Sequence, residues 1–329
     1  MMKDIIVTAL YNLGYVLIFP GFMFCFFAGL LLCGIDRKLV AKMQKRVGPP
    51  VLQPFYDFFK LCGKECIVPA AASRTMFLMA PLVGLAALVV IQLFIPVFTF
   101  TAFSQVADII VILYLLLIPA MSAMLGGAAS GSPYAGVGLS REMVTIISCE
   151  LPLVLVLLSV AKTVGDAMGT GLCFSLTDIA LYQAANGSLI LKASMIPAAA
   201  AMLLIIPGET GNHPFDAAEA ETEICEGMLA EYSGAPLTSL FVALFLGGIG
   251  GRIEKLVALI GLTGGAAAGM TMLLGIVILL LLCIALTAVS ISFVHAITAR
   301  LKIEQIFKYY WTVVSCLALI SLVLAWYGM

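Results

Sequence analysis

The sequence predicts an all-α polytopic membrane protein, with about eight transmembrane helices and amphipathic helices in its cytoplasmic loops. Three observations carry this. Apolar residues make up 63% of the 329 and charged residues 11%, against about 45–50% and 25% in a soluble domain. Apolar runs recur at the roughly 20-residue length that a bilayer core demands. A β-barrel, the other way to satisfy a backbone in lipid, would read as short alternating segments instead.

The first run covers 5–33. It is too long for the apolar core of a signal peptide, and Lys3 is followed at once by Asp4, so it reads as a retained span. The remaining runs are 74–98, 107–126, 142–165, 188–208, 235–250, 270–297 and 307–328, the sixth being short and glycine-rich. All eight belong to one membrane domain, 1–329, without an internal repeat or a soluble module. Loops 34–73, 127–141 and 298–306, with their flanks, hold twelve of the seventeen Lys and Arg. That asymmetry places these loops in the cytoplasm and both termini outside, in a multi-pass protein of the cytoplasmic membrane. Asp108 and Asp178 fall at span ends and read as interfacial.

Most of the nine cysteines lie in apolar runs, as small buried hydrophobes do. Cys62 and Cys66 form a lone C-x-x-x-C, whereas an iron–sulfur cluster needs four thiolates. With only His213 and His295 besides, no metal or cofactor is expected in this chain. The near-neutral balance of 18 acidic and 17 basic residues gives no nucleic-acid footprint.

Function should reside in two polar islands. The first, 36–65, is basic and punctuated by Pro; the second, 212–234, is acidic. In the first, Gly48-Pro49-Pro50 predicts a rigid break between two short helices. The second of these is amphipathic, with Phe55, Phe58, Phe59 and Leu61 against Asp57, Lys60 and Lys64. Two readings stay open: a helix lying beside anionic lipid, or the seat of a soluble partner.

In the acidic island Pro214 suits a first helical position. On a helix, Asp216, Glu219, Glu223 and Glu226 fall within about 80° of one another, with Glu221 opposite. No Lys or Arg occurs from 193 to 251. Uncompensated carboxylates this close repel, titrate as a set and can pass protons near neutral pH. A solvated acidic face, or a docking strip for a basic subunit, is the other reading. Glu150 lies eight residues into the fourth apolar run, roughly 12 Å from Glu142 along a helix. An ionisable group at such depth is costly and is commonly functional, although it can also serve as a polar partner to a neighbouring helix. Pro152 nearby can free a carbonyl for water.

These islands resemble the membrane subunit known as subunit 1, or the H-type subunit, of respiratory complex I and of energy-converting (group 4) nickel–iron hydrogenases. Asp36-Arg37, Gln44, Arg46, Gly48-Pro49, Leu52-Gln53-Pro54, Asp57, Lys60-Leu61 and Lys64-Glu65 carry the first match. Arg141 with Ser148-Cys149-Glu150 resembles the family's fourth-span element. Glu209-Thr210, Pro214-Phe215-Asp216, Glu219-Ala220-Glu221, Glu223, Gly227 and Glu231-Tyr232-Ser233-Gly234 match its longest signature. Only Pro50-Val51 separate Gly48-Pro49 from Leu52, where the complex I relatives carry about six more residues in a region that helps enclose quinone. Asn212 stands where many relatives have a cation.

The resemblance implies a membrane anchor without a redox centre of its own. Its proton path would use Glu142, Glu150, Glu209, Asp216, Glu219, Glu221, Glu223, Glu226 and Glu231. Asp36, Arg37, Gln44, Arg46, Gln53, Asp57, Lys60 and Arg141 would seat the peripheral arm. The partners implied are hydrogenase large and small subunits, an iron–sulfur subunit and antiporter-like membrane subunits, which hold the nickel–iron centre and the clusters. Ferredoxin (or formate, or carbon monoxide oxidation) would supply electrons indirectly, with protons or sodium as the coupling ion. The alternatives are a quinone-site subunit of complex I and, in another class, a stand-alone solute carrier, which would show a repeat with broken helices.

Overall fold

The computed structural model describes residues 22–94, 108–187, 189–233, 281 and 284–328. Every regular element among them is helical, apart from one isolated bridge between Asp108 and Ser175. In chain order these are α1 (Phe22–Met43), α2 (Gln53–Cys62), α3 (Arg74–Phe94), α4 (Ile109–Ser130), α5 (Pro133–Met168), α6 (Leu176–Asn186), α7 (Ile196–Glu209) and α8 (Glu221–Ile224). After a π-helical stretch, Thr287–Ser292, come α9 (Phe293–Ile297) and α10 (Ile303–Tyr309). A second π-helical stretch, Tyr310–Val314, leads into α11 (Ser315–Trp326).

Four helices among the described residues are long and apolar enough to cross a membrane: Arg74–Ile91, Ile109–Ser130, Pro133–Met168 and Ile303–Trp326. Two shorter apolar helices, Ala193–Glu209 and Ile284–Ile297, accompany them. The core is a seam of α5, α7 and α10–α11. Along α5 the seam residues Cys149, Leu153, Val156, Val160 and Val164 recur at three and four, a helix's one-face spacing. They meet Ala198, Ala201, Met202 and Ile205 of α7, and Ile306, Tyr310, Val314 and Ala318 of the last helix.

Several expectations need correction. The helix that carries span 4 starts well before 142: α5 begins at Pro133 and runs 36 residues, about 54 Å against a hydrocarbon core of roughly 30 Å. Hydropathy sees only the lipid-embedded part of such a helix. The expected span 188–208 is two 3-10 turns followed by the 14-residue α7; Pro197 sits in the first turn of that helix, which suits a helix start. In the first island, 36–43 is no separate short helix but the continuation of α1. Asp178 lies in the first turn of the 11-residue α6 rather than at a span end. The expected span 235–250, the start of the first span, residues 95–98 of the second and residues 270–280, 282 and 283 of the seventh lie outside the described residues.

Candidate functional site

The acidic island is not a helix with one carboxylate face. Residues 212–220 are turns and loop, and helix is confined to Glu221–Ile224 and a 3-10 turn at Gly227–Leu229. Cys225 and Glu226 adopt positive φ, 50° and 67°, which a right-handed helix cannot continue through. Nor are the carboxylates uncompensated. Arg300 donates from Nε to Asp216 Oδ1 at 2.8 Å and from Nη2 to Asp216 Oδ2 at 2.7 Å. Arg141 on α5 donates to Glu223 Oε2 at 2.8 Å and to the Ala217 carbonyl at 3.1 Å. Those cations lie 84 and 82 residues away in sequence, so no local scan could pair them. His213 Nε2 sits 3.1 Å from Asp216 and its ring stacks on His295 at 4.9 Å.

Glu223 is exposed, and the hydrogen bond and charge of Arg141 hold its carboxyl below the usual range. Glu219 behaves in the opposite way. Burial, then the neighbouring Glu142, Asp216 and Glu226, push it up to about 8. The set expected of one helical face is therefore split: Glu219, Asp216 and Glu226 remain electrostatically linked and gain Glu142, while Glu223 is held by a cation. Glu226 and Glu231 are exposed, and Glu221 opens α8.

Beneath this segment, Glu142, Glu150 and Glu209 line one small cavity of about 30 Å³, with Thr145, Cys149 and Gly208. That is space for one or two waters among polar partners. Glu142 and Glu150 face it from α5, eight residues apart on a helix that turns 100° per residue; Glu209 ends α7. Gly208 is required beside it. A Cβ there would stand 2.1 Å from the Tyr310 hydroxyl and 2.9 Å from Cys149 Sγ.

The basic island folds back on α1. Phe58 packs on Phe26 and Phe55 on Phe27, with ring centroids 4.8 and 5.9 Å apart. Arg37 Nη1 donates to Asp57 Oδ2 at 3.3 Å and Gln53 Nε2 to Asp57 Oδ1 at 3.0 Å. Arg46 donates to Gln44, and both are exposed, as is Lys60. The residues expected to seat the peripheral arm thus divide into an inner group (Arg37, Gln53, Asp57) that pins α2 to α1 and an exposed group. Asp36 accepts a hydrogen bond from Ser292. Burial raises the Asp36 carboxyl, with Ser292, His295 and Arg37 pulling it back.

The two islands meet. Ser233 Oγ donates to the Glu65 carbonyl at 3.2 Å and accepts from Ile67 N at 3.0 Å. Tyr232 stacks on Phe77 at 4.1 Å and donates to its carbonyl at 3.0 Å. Arg300, Ser292, His295 and Tyr310 carry no functional expectation from sequence. The signal available for Arg300 was its place in the basic loop 298–306; the others sit in or beside apolar runs and carry none.

Comparison with known proteins fits this arrangement. The family profile described as NADH dehydrogenase matches residues 15–326. Hydrogenase-4 component C of Escherichia coli is 35% identical over 231 residues, spanning 66% of this chain and 70% of that protein. The H-type subunit of the NADH-quinone oxidoreductase of Thermomicrobium roseum is 36% identical over 255 residues, 66% of this chain and 72% of that protein. A chain of the membrane-bound sulfane sulfur reductase, an archaeal respiratory membrane complex, superposes with a TM-score of 0.82 at 27% identity, covering 92% of this chain and 96% of that one.

Proposed function

We propose a function from one premise: the chain belongs to the NADH dehydrogenase family, as a membrane subunit of the complex I subunit 1 type that group 4 hydrogenases share. It is a membrane protein and part of a multisubunit oxidoreductase. Within that class, our reading is the anchor and ion-path subunit of a ferredoxin-linked, hydrogen-evolving nickel–iron hydrogenase. The nickel–iron centre and iron–sulfur clusters would sit in partner subunits, and this chain would hold none. Its large loops would face the cytoplasm.

The observation that carries the hydrogenase branch is the turn between α1 and α2. The Val51 carbonyl lies so close to Gly34 that a Cβ on Gly34 would stand 1.9 Å from it. The linker is drawn flat onto α1, with no length left for the loop that encloses quinone in the complex I relatives. In the mechanism we favour, redox change at the docked arm shifts the α1–α2 seat. That shift passes through Ser233 into the acidic segment, and Glu219, Glu142, Glu150 and Glu209 relay protons inward.

The likeness to the sulfane sulfur reductase supports a second reading, in which the arm reduces sulfur instead of protons. Purified complex in liposomes, fed reduced ferredoxin, decides between them. Hydrogen evolution with lumen acidification, insensitive to quinone-site inhibitors, is expected. Sulfide formation without hydrogen would favour the second reading, and potent inhibition mapping to this chain the complex I alternative.

A further inference from the structure

The end of the molecule remote from the acidic segment holds a cavity of about 250 Å³, of mixed polar and apolar lining, that the proposed ion path does not use. Its walls come from the C-terminal turns of α5 and α11 and from the turns preceding α7, through Thr163, Asp166, Lys192, Ser194 and Ala325. Lys162 lies 20 residues beyond Glu142 on one continuous helix, about 30 Å along its axis. That is the thickness of a hydrocarbon core, so the cavity stands at the opposite membrane interface.

Its chemistry is that of an interface pocket. Lys192 Nζ lies 2.8 Å from the Tyr182 hydroxyl and over its ring at 5.1 Å. Lys162 pairs with Asp166 at 2.5 Å and lies over the Trp326 ring at 4.8 Å. Trp326 and Tyr327 are themselves 69% and 76% exposed, as the aromatic belt of a membrane protein is. With Lys162 neutralised by Asp166, the described residues leave the site one net positive charge, on Lys192. The Ser194 hydroxyl is fully buried at the cavity and has no hydrogen-bond partner among the described residues. A buried hydroxyl without a partner is a standing cost that a ligand oxygen would remove.

We propose that this cavity seats the headgroup of an anionic phospholipid carrying a single phosphodiester charge. Lys192 and the Ser194 hydroxyl donate to its phosphate oxygens, and the acyl chains run down the apolar surface beside Trp326. The space suits a headgroup, being smaller than most small-molecule pockets. Phosphatidylglycerol meets the description: its charge matches Lys192, and its glycerol hydroxyls can donate to Asp166, whose side chain is 40% exposed.

The test uses the whole complex, delipidated and returned to phosphatidylcholine nanodiscs with graded phosphatidylglycerol. Bound lipid is read by native mass spectrometry and the thermal midpoint is followed in parallel. Phosphatidylglycerol should be retained and should raise the midpoint. Lys192→Gln should weaken retention roughly fivefold, the effect of about one interfacial lysine. Ser194→Ala, a milder change in case the first fails to assemble, should weaken it in the same direction. Lys308→Gln, far from the cavity, should retain lipid normally. Equal retention by both cavity variants would place the lipid elsewhere and overturn the proposal. An equal gain from phosphatidylethanolamine would overturn the charge argument, and an equal gain from inorganic phosphate would overturn the lipid assignment in favour of a free-anion site.

Discussion

Arg300 holds Asp216 in a two-pronged ion pair, with bonds of 2.8 and 2.7 Å and with the Asp216 side chain only 12% exposed. The Leu301 backbone N–H adds a bond to the Pro214 carbonyl at 3.0 Å. A segment made mostly of turns, with one short helix and a 3-10 turn, is thereby anchored to the loop before the last span. Its shape depends on a distant cation rather than on local propensity.

Arg300→Gln should loosen this segment. Breaking a buried pair costs about 3–5 kcal/mol, and partial exposure lowers that to roughly 2. Arg300→Lys should recover only part of it, because an ammonium cannot offer the planar fork. The thermal midpoint of the complex and protease cleavage within 212–233 measure both. An unchanged midpoint with full protease resistance would show that the pair does not hold the segment.

Glu219 is the group whose protonation should matter near neutral pH. It ionises near 4.5 ordinarily and at about 8 in the fold. Between those values the folded chain binds a proton that the unfolded chain has released. Stability from this group is therefore highest below pH 4.5, declines as pH rises to about 8 and is flat beyond. Glu219→Gln should remove that slope and shift the pH optimum of ion transport. Glu223→Gln should not shift the optimum, since Arg141 already keeps Glu223 ionised. A Glu219→Gln complex with the wild-type pH profile would count against a relay through this residue.

Glu150→Gln should leave assembly intact and slow proton translocation by about a hundredfold or more, the scale of a lost proton-transfer group. Gln keeps the volume and the hydrogen bonding but carries no titratable proton. Vesicle acidification per hydrogen evolved is the measurement. A wild-type ratio would make Glu150 a structural partner of its cavity neighbours.

Much of this architecture was legible in the chain, and the parts that were not share a cause. The spans around α3, α4 and α11 announce themselves by apolar length, and the ordered motifs from Asp36 to Gly234 carried the family. Helix geometry drawn through Pro214 to Glu226 failed because cations from 82 and 84 residues away make a turn-rich path favourable. Periodicity is a local signal, whereas Arg141 and Arg300 are tertiary ones. Hydropathy likewise started α5 late, at 142 rather than Pro133, since a helix that leaves the membrane looks polar without ceasing to be helical. The gathering of Glu142, Glu150 and Glu209 at one cavity needed the α5–α7 packing, which no spacing rule contains.

That packing leads to the last prediction, at Gly208. The position lies where α7 meets both α5 and the final helix. Its missing side chain admits the hydroxyl of Tyr310, a fully buried residue that donates to the Leu204 carbonyl at 3.3 Å. Gly208→Ala adds one methyl 2.1 Å from that hydroxyl, and overpacking of this kind costs about 1–3 kcal/mol. Because Gly208 adjoins Glu209 and lines the same cavity as Glu150, the displacement should also slow ion translocation. Tyr310→Phe alone should cost about 1 kcal/mol for its lost hydrogen bond. Combined with Gly208→Ala it should cost less than the sum, since the nearest clashing atom has gone; the ring carbon 2.6 Å away keeps the rescue partial. Additive midpoints across the two singles and the double would show that the alanine is accommodated elsewhere and that the Gly208–Tyr310 approach does not set the cavity.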